Sequence, residues 1–234
     1  MSLRRTANMQ EKQEKILECA LELFAEKGYV NTRVRDIIDR SGFGTGTFYK
    51  YFDSQEKVLT ELLSEFLDEI IESVTEFFKT EEDLFIRFIE SKRFILEVFV
   101  RNEKMAEIYS RVRGLGSNVD QCLKDFDDRL ILFMSKNNQY GIDNGVFCDL
   151  PVLPIAYSTL AIINYAVYKW VVMKDISAEE MVSLVLSFHR SLALGLLNAD
   201  YLAQNPGKYP RMEEEANRCA WPKSIWQQDP TGIQ

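Results

Sequence analysis

The chain has 234 residues, 46% of them hydrophobic and 27% charged, a globular mix that excludes a disordered or collagen-like chain. Eleven Gly and six Pro are too few for an all-β chain, which needs a turn every few residues, and they favour long helices. With 28 basic and 36 acidic residues the net charge is −8, so contact with nucleic acid has to rest on a local basic surface.

Taken in chain order, the apolar residues Ile16, Leu17, Ala20, Leu21, Leu23 and Phe24 recur at helical spacing, and Gly28 follows where a left-handed residue ends a helix. A short second helix fits Val34–Arg40, closed by Gly42, and a third fits Thr45–Phe52. Ser54 caps a much longer fourth helix, whose apolar stripe runs unbroken from Val58 to Phe78. Three further helices are expected over Thr80–Arg101, Glu103–Arg113 and Ser117–Gln139. Gly114 and Gly116 stop the second of them, and Gly141–Gly145 reads as a turn. Leu150–Lys174 is the next helix, and Ser177-Ala-Glu-Glu180 forms a capping box opening the last strong one, which extends to about Ala199. Beyond Asp200, Pro206, Pro210, Pro222 and Pro230 break the chain. A short helix fits Arg211–Ala220, with Trp221 and Trp226 expected to pack part of this tail on the body. No strand pattern competes, so the expected class is all-α.

Leu150–Tyr168 carries no charge and is about as long as a bilayer is thick. Pro151, Pro154, Ser158, Thr159 and Asn164 lie within it, and Lys169 interrupts the apolar run that continues to Met173. A buried helix of a soluble domain fits these residues better, and no membrane partner is expected. Met1–Lys15 is polar and lacks the apolar core of a secretory signal. Cys19, Cys122, Cys148 and Cys219 include no Cys-x-x-Cys pair and are read as reduced thiols of a cytoplasmic protein.

Arg33 to Phe52 has the form of a helix-turn-helix: two short helices joined by a tight turn behind a supporting helix. Gly42 supplies the positive φ of the turn and Phe43 plugs the angle. Phe48 and Phe52, four apart, face inward, which leaves Thr45, Gly46, Thr47, Tyr49 and Lys50 on the outer side. Hydroxyls there suit bases or phosphates, a Thr methyl suits thymine, and Gly46 lets the backbone approach. Arg33, Arg35, Arg40 and Lys50 outnumber Asp36 and Asp39 in this stretch. A surface helical hairpin with scattered charge accounts for the same pattern equally well.

Ile16-Leu-Glu-Cys-Ala-Leu-Glu-Leu-Phe-Ala-Glu-Lys-Gly-Tyr29, Val34-Arg-Asp-Ile37 and Gly42-Phe-Gly-Thr-Gly-Thr-Phe-Tyr-Lys-Tyr-Phe52 resemble, in order and spacing, the N-terminal domain of TetR-type transcriptional repressors. The resemblance covers about Gln10 to Leu63. It implies a homodimeric, ligand-responsive protein that binds double-stranded operator DNA and takes a small-molecule effector in a C-terminal helical domain. It further implies DNA contacts from Arg33, Arg35, Thr45, Gly46, Thr47, Tyr49, Lys50, Tyr51 and Lys57. Three positions depart from the family pattern. Arg33 stands where Ser or Thr usually caps the second helix, so Thr32 is expected to cap instead. Gly44 replaces the Ser cap of the recognition helix, and Gln55 replaces a phosphate-binding Lys that Lys57 offsets in part. The expected organisation is a DNA-binding domain over 1–53, an effector and dimerisation domain over 54–200, and a partly packed tail over 201–234.

Little else carries chemistry. His189 is the only histidine, which excludes multi-His metal sites; among Phe188, Leu192 and Leu196 it reads as a core or interfacial residue. Gly42-x-Gly-x-Gly46 lacks the strand and the Lys-Ser/Thr of a phosphate loop. No cluster of titratable groups suggests an enzyme, and neither a cofactor nor a metal is expected. The aromatic residues after Phe78 are core first, but they are numerous enough to line a pocket too. The ligand-facing set is expected among Phe88, Phe99, Tyr109, Phe126, Phe133, Tyr157, Asn164 and Tyr168, with Ser158 and Thr159 as further polar groups. Leu184, Phe188, Leu192 and Leu196 repeat every four residues and Gly195 permits close approach, which points to a homodimer through the last two strong helices. The expected function is a transcriptional regulator, a repressor released by a small apolar or amphipathic ligand. A helical protein-interaction module and an ungated dimeric DNA-binding protein are the alternatives.

Overall fold

Helices follow one another from Ser2 to Gln204 in the computed structural model, which describes residues 2–205. They are α1 (Ser2–Lys27), α2 (Val34–Ser41), α3 (Thr45–Phe48), α4 (Gln55–Thr80), α5 (Leu84–Arg101), α6 (Glu103–Arg111), α7 (Ser117–Asp143), α8 (Val152–Tyr168), α9 (Ala178–Leu196) and α10 (Ala199–Gln204). A π-helical turn over Lys169–Met173 extends α8. The fold is all-α, as the apolar periodicity requires; the one pairing of extended backbone among the described residues is an isolated bridge between Phe147 and Leu197. The short helix over Arg211–Ala220 and the packing of Trp221 and Trp226 lie outside the described residues.

Several boundaries differ from the sequence expectation, each for a local reason. The helix expected from Thr80 begins at Leu84, because Thr80 still ends α4 and the Asp83 carboxylate accepts the N–H groups of Phe85 and Ile86 at 2.9 and 3.2 Å to start α5. The third helix ends at Phe48 rather than Phe52. Lys50 and Tyr51 donate instead to carbonyls three residues back, Thr47 and Phe48, and tighten the chain into turns. Conversely, α7 continues past Gln139 and through Gly141 to Asp143. Gly145 (φ 72°) then closes it, with Val146 N–H bonded to Gly141 O at 3.0 Å and Gly145 N–H to Ile142 O at 2.8 Å. Gly141 breaks nothing because its missing side chain makes room for Phe147, whose ring carbons lie 2.4 Å from where a Cβ would stand. The last strong helix stops at Leu196, where Cys148 N–H pairs with Leu196 O and Asn198 N–H with Val146 O.

The chain forms two compact units. Of the described residues, one contains 2–71 together with Val98–Leu130; the other contains Glu72–Glu97 and 131–205. Thus α4, α5 and α7 each contribute to both.

In the first unit, Ile16, Leu17, Ala20 and Phe24 of α1 are buried with Ile37, Phe48, Phe52, Val58 and Leu59. Gly28 (φ 84°) ends α1. Thr32 does not cap α2: it is buried, and its hydroxyl donates to Gly28 O at 2.9 Å. The Asp36 carboxylate accepts Arg33 N–H at 2.7 Å and satisfies the start of α2 in its place. α6 lies against α1, where the Lys104 ammonium meets both oxygens of Glu22 at 2.6 and 2.7 Å. Phe66, Phe99, Tyr109 and Phe126 pack ring on ring, with neighbouring centroids 4.9 to 6.0 Å apart.

In the second unit, Phe85, Phe88 and Ile89 of α5 are buried with Val146, Phe147, Ala193, Leu196 and Leu197. Phe77 stacks on Phe94 at 4.4 Å. Ser177 accepts the Glu180 N–H at 3.1 Å while Glu180 accepts the Ser177 N–H, the capping box read from the sequence. Val152–Met173 is the one segment among the described residues long and apolar enough to cross a membrane, and 44% of its most apolar window is buried within the protein.

Candidate functional site

The helix-turn-helix is assembled by its buried phenylalanines. Phe48 and Phe52 point into the unit, their ring centroids 6.0 Å apart, and Gly42 (φ 73°) turns the chain between α2 and α3. Thr45, Gly46, Tyr49 and Lys50 are exposed, and Thr47 and Tyr51 are half-buried. The N-terminus of α3 has no side-chain cap; the Gly44 carbonyl opens the helix by accepting the N–H groups of Thr47 and Phe48. Gln55, in the place of the family's Lys, donates to Tyr29 O at 2.6 Å and ties the start of α4 to the loop after α1.

Ion pairs sort the cations of this region. Arg40 is held by Glu26 through two bonds of 2.7 Å, Lys27 meets Asp36 at 3.0 Å, and Arg35 lies 3.8 Å from Asp39. Among the described residues, the side chains of Arg33, Lys50 and Lys57 form no ion pair, and Lys50 lies 5.9 Å from the ring of Tyr51. Exposed cations left unpaired beside hydroxyls are what a phosphate backbone requires.

The second unit holds a different kind of site. A cavity of about 40 Å³ lies among α4, α5 and α7, walled by Val74, Phe78, Phe88, Ile95, Phe133 and Met134, with Ser91, Lys92, Asn137 and Asn138 as its polar groups. Lys92 is only 4% exposed. Its ammonium sits 3.9 Å from the centroid of the Phe88 ring and donates to the Phe88 carbonyl. Among the described residues no carboxylate meets it, and burial pushes its pKa down to about 7. Arg87, in the same wall, donates to Phe78 O at 2.7 Å and to Glu81 O, satisfying the chain at the end of α4. The sequence reading passed over Lys92. Its signal was position: Lys92 lies four residues from both Phe88 and Leu96, on the apolar stripe of α5, where a lysine is out of place. A larger cleft of about 370 Å³ lies in the first unit, between the end of α1 and α6, with exposed Val30 and Leu115 at its edge.

The eight residues expected to face a ligand are not gathered in one place. Phe88 and Phe133 line the cavity of the second unit. Phe99, Tyr109 and Phe126 belong to the aromatic core of the first unit and line neither space. Tyr157 and Tyr168 are exposed on α8 and Asn164 is half-buried. Thr159 is buried and bonded to His189, a core residue with no exposure, whereas Ser158 is exposed. Leu184, Phe188 and Leu192 are half-buried on α9, and Leu196 is buried. Gly195 lies in the last turn of α9. Cys19, Cys122 and Cys148 are free thiols. Among the described residues no cluster of His, Cys, Asp or Glu is placed to hold a metal.

Comparison with known proteins agrees with this architecture. Residues 16–62 match the family model described as bacterial regulatory proteins, tetR family. A solved structure of a TetR-family transcriptional regulator from Syntrophomonas wolfei is 55% identical, covers 81% of this chain and 98% of its own, and superposes with a TM-score of 0.78. The transcriptional regulator FadR from Bacillus subtilis, solved in complex with stearoyl-CoA, shares the fold at 22% identity, with 78% of this chain and 98% of that one covered and a TM-score of 0.69. The repressor KstR2 of Rhodococcus jostii is 40% identical over 65 residues, which are 28% of this chain and 32% of that protein. The chain thus matches about a third of the length of that curated relative.

Proposed function

Because the chain belongs to the TetR family of transcriptional regulators, we propose that it binds operator DNA as a homodimer and represses transcription until a small apolar or amphipathic ligand enters its second unit. The observation that carries this reading is the run Thr45-Gly-Thr-Phe-Tyr-Lys50, exposed at Thr45, Gly46, Tyr49 and Lys50, anchored from behind by buried Phe48 and flanked by Arg33 and Lys57, whose side chains form no ion pair among the described residues. The start of α3 is the recognition element. Thr45 and Thr47 face base edges or phosphates, Gly46 admits the backbone, and Tyr49, Lys50, Tyr51, Arg33, Arg35 and Lys57 contact the flanking chain of the duplex.

A dimer is supported by the outer surface of α8 and α9. Leu153, Tyr157, Tyr165 and Tyr168 are 40–61% exposed on α8, and Leu184, Phe188 and Leu192 leave an apolar row partly open on α9. A surface this apolar is the mark of an interface. A dimer holds its two recognition helices about 34–36 Å apart, one turn of the duplex. A ligand that prefers a conformer with a different spacing releases the DNA. The stearoyl-CoA bound to the FadR neighbour supports an amphipathic effector.

The test is a gel shift with DNA flanking the protein's own gene. Specific retardation, competed by the same sequence and not by unrelated DNA, is expected; its absence sinks the reading, because an interaction module gives none. A monomeric mass by light scattering at micromolar concentration overturns the dimer.

A further inference from the structure

A lysine side chain taken out of water is costly unless something compensates its charge. Among the described residues Lys92 has the Phe88 carbonyl and the face of the Phe88 ring, and no anion. An ammonium has three protons to donate, and its single hydrogen bond to the Phe88 carbonyl leaves donor capacity beside the cavity that Lys92 lines. The α7 wall of the cavity also carries polar groups: Asn137 and Asn138 line it, and Asn138 is only 6% exposed. Val74, Phe78, Ile95 and Met134 belong to its apolar lining, and Ser91 and Arg87 add polar groups from α5. A buried cation with spare donors, beside buried amide and hydroxyl groups and facing an apolar wall, forms one polar end in a mostly apolar site.

We infer that Lys92 is the anchor for the anionic head of the effector, a carboxylate or a phosphate ester carried on an apolar chain. This rests on the ligand-gated reading above and gives the ligand its chemical class. A hydroxyl or a carbonyl supplies one more hydrogen bond and leaves the charge uncompensated. An anion forms a charge-assisted bond and offsets the burial of the ammonium. The cavity has room for about three water molecules at most, enough for the head alone. The chain of the ligand therefore makes its own space by displacing Phe133 and Tyr140, which line the cavity and reach solvent.

The charges facing Lys92 do not supply a built-in counterion. α5 contributes Arg87, α9 contributes the buried His189, α7 contributes neutral Asn137, Asn138 and Tyr140, and α4 contributes only Val74 and Phe78. An anion entering at slightly alkaline pH should therefore draw a proton onto Lys92 as it binds.

The experiment is calorimetry on the full chain without DNA, using decanoate, decyl phosphate and decan-1-ol as probes. At least one of the two anions should bind about ten-fold or more tightly than the alcohol, the worth of one charge-assisted hydrogen bond. Lys92→Met should abolish that preference. Proton uptake, read from titrations in two buffers of different ionisation enthalpy, should accompany the anion and vanish in the variant. The stronger of the two anions identifies the source of the charge, and equal binding supports the shared chemistry. Decanol binding as tightly as both anions, no binding of either anion, or a preference that survives Lys92→Met each overturns the inference. Those results leave operator binding untouched, whereas a failed gel shift strikes the DNA-binding reading and not this one.

Discussion

The Thr159 hydroxyl donates to Nε2 of His189 across 3.0 Å, pinning α8 to α9 at a point where both side chains are buried. On its other side the ring gives its Nδ1 proton to Val185 O at 2.8 Å, so both nitrogens are satisfied by the neutral tautomer with the proton on Nδ1. Thr159→Val keeps the shape and removes the donor. It should cost about 1–3 kcal/mol, the price of a buried acceptor left bare, measured as a shift in urea midpoint.

The same ring makes stability depend on acid. Burial first, and the charge of Lys92 second, press the His189 pKa from 6.5 down to about 3. As pH falls below 6.5 the unfolded chain takes a proton on this ring while the folded one stays neutral until about 3. Stability from this group is complete above 6.5 and is lost across that window, at up to about 1.4 kcal/mol per pH unit. His189→Gln should be less stable than wild type at neutral pH, and the gap should shrink as the solution is acidified toward pH 4. A constant gap in chemical denaturation would count against a neutral buried ring.

Lys92 works at the opposite end of the scale. Its pKa falls from 10.5 in the ordinary state to about 7 when folded. The folded chain therefore gives up this proton while the unfolded one keeps it. The stability tied to Lys92 is complete above 10.5 and is lost as pH falls through 7. Lys92→Met should be more stable than wild type near neutrality, and its advantage should dwindle toward about pH 10. Melting temperatures of the two proteins at both pH values check this.

Gly141→Ala tests the approach of α7 to Phe147. An alanine is normally welcome in a helix, by about 1 kcal/mol over glycine. Here its Cβ would stand 2.4 Å from two carbons of a buried ring, and a ring in a packed core has little room to yield. A net loss of about 1–3 kcal/mol is expected, read from thermal or urea unfolding. A stabilised variant would show that Phe147 moves freely.

On the DNA side, Lys50→Ala should weaken operator binding and lower the slope of affinity against salt by about one, the signature of one lost phosphate contact. Tyr49→Phe removes only a hydroxyl and should weaken binding without changing that slope. Wild-type affinity for both variants, over several salt concentrations, would place the contacting face of α3 elsewhere.

Much of this was legible before the fold was known, and the misses share a cause. Gly28, Gly42 and the Ser177–Glu180 box act within a few residues of themselves, so the sequence displays their reasons. The all-α class followed likewise from the period of the apolar residues. Gly141 looked like a breaker because its actual partner, Phe147, is set by a tertiary contact that no local pattern reports. Asp83 was hidden in an acidic run, Thr80-Glu-Glu-Asp83, where its capping role resembles ordinary surface charge. Thr32 was read as a cap although its hydroxyl turns back to α1. Aromatic residues after Phe78 gave no means of telling core from cavity, and they fall into both units.

The docking of α6 on α1 bears on the order in which the protein can be made. The helix-turn-helix ends by Phe52, yet its compact unit is completed only by Val98–Leu130, with Lys104 reaching back to Glu22 and Phe99 and Phe126 closing over Phe66. During synthesis from the N-terminus, the first helices leave the ribosome well before the residues that cover them. Phe66 and the inner face of α1 then wait uncovered, which favours temporary shelter by a chaperone. Contacts of such long sequence separation slow folding. A gene fragment stopping after α4 should consequently yield an aggregation-prone peptide rather than a working head, despite containing every residue of the DNA-reading motif.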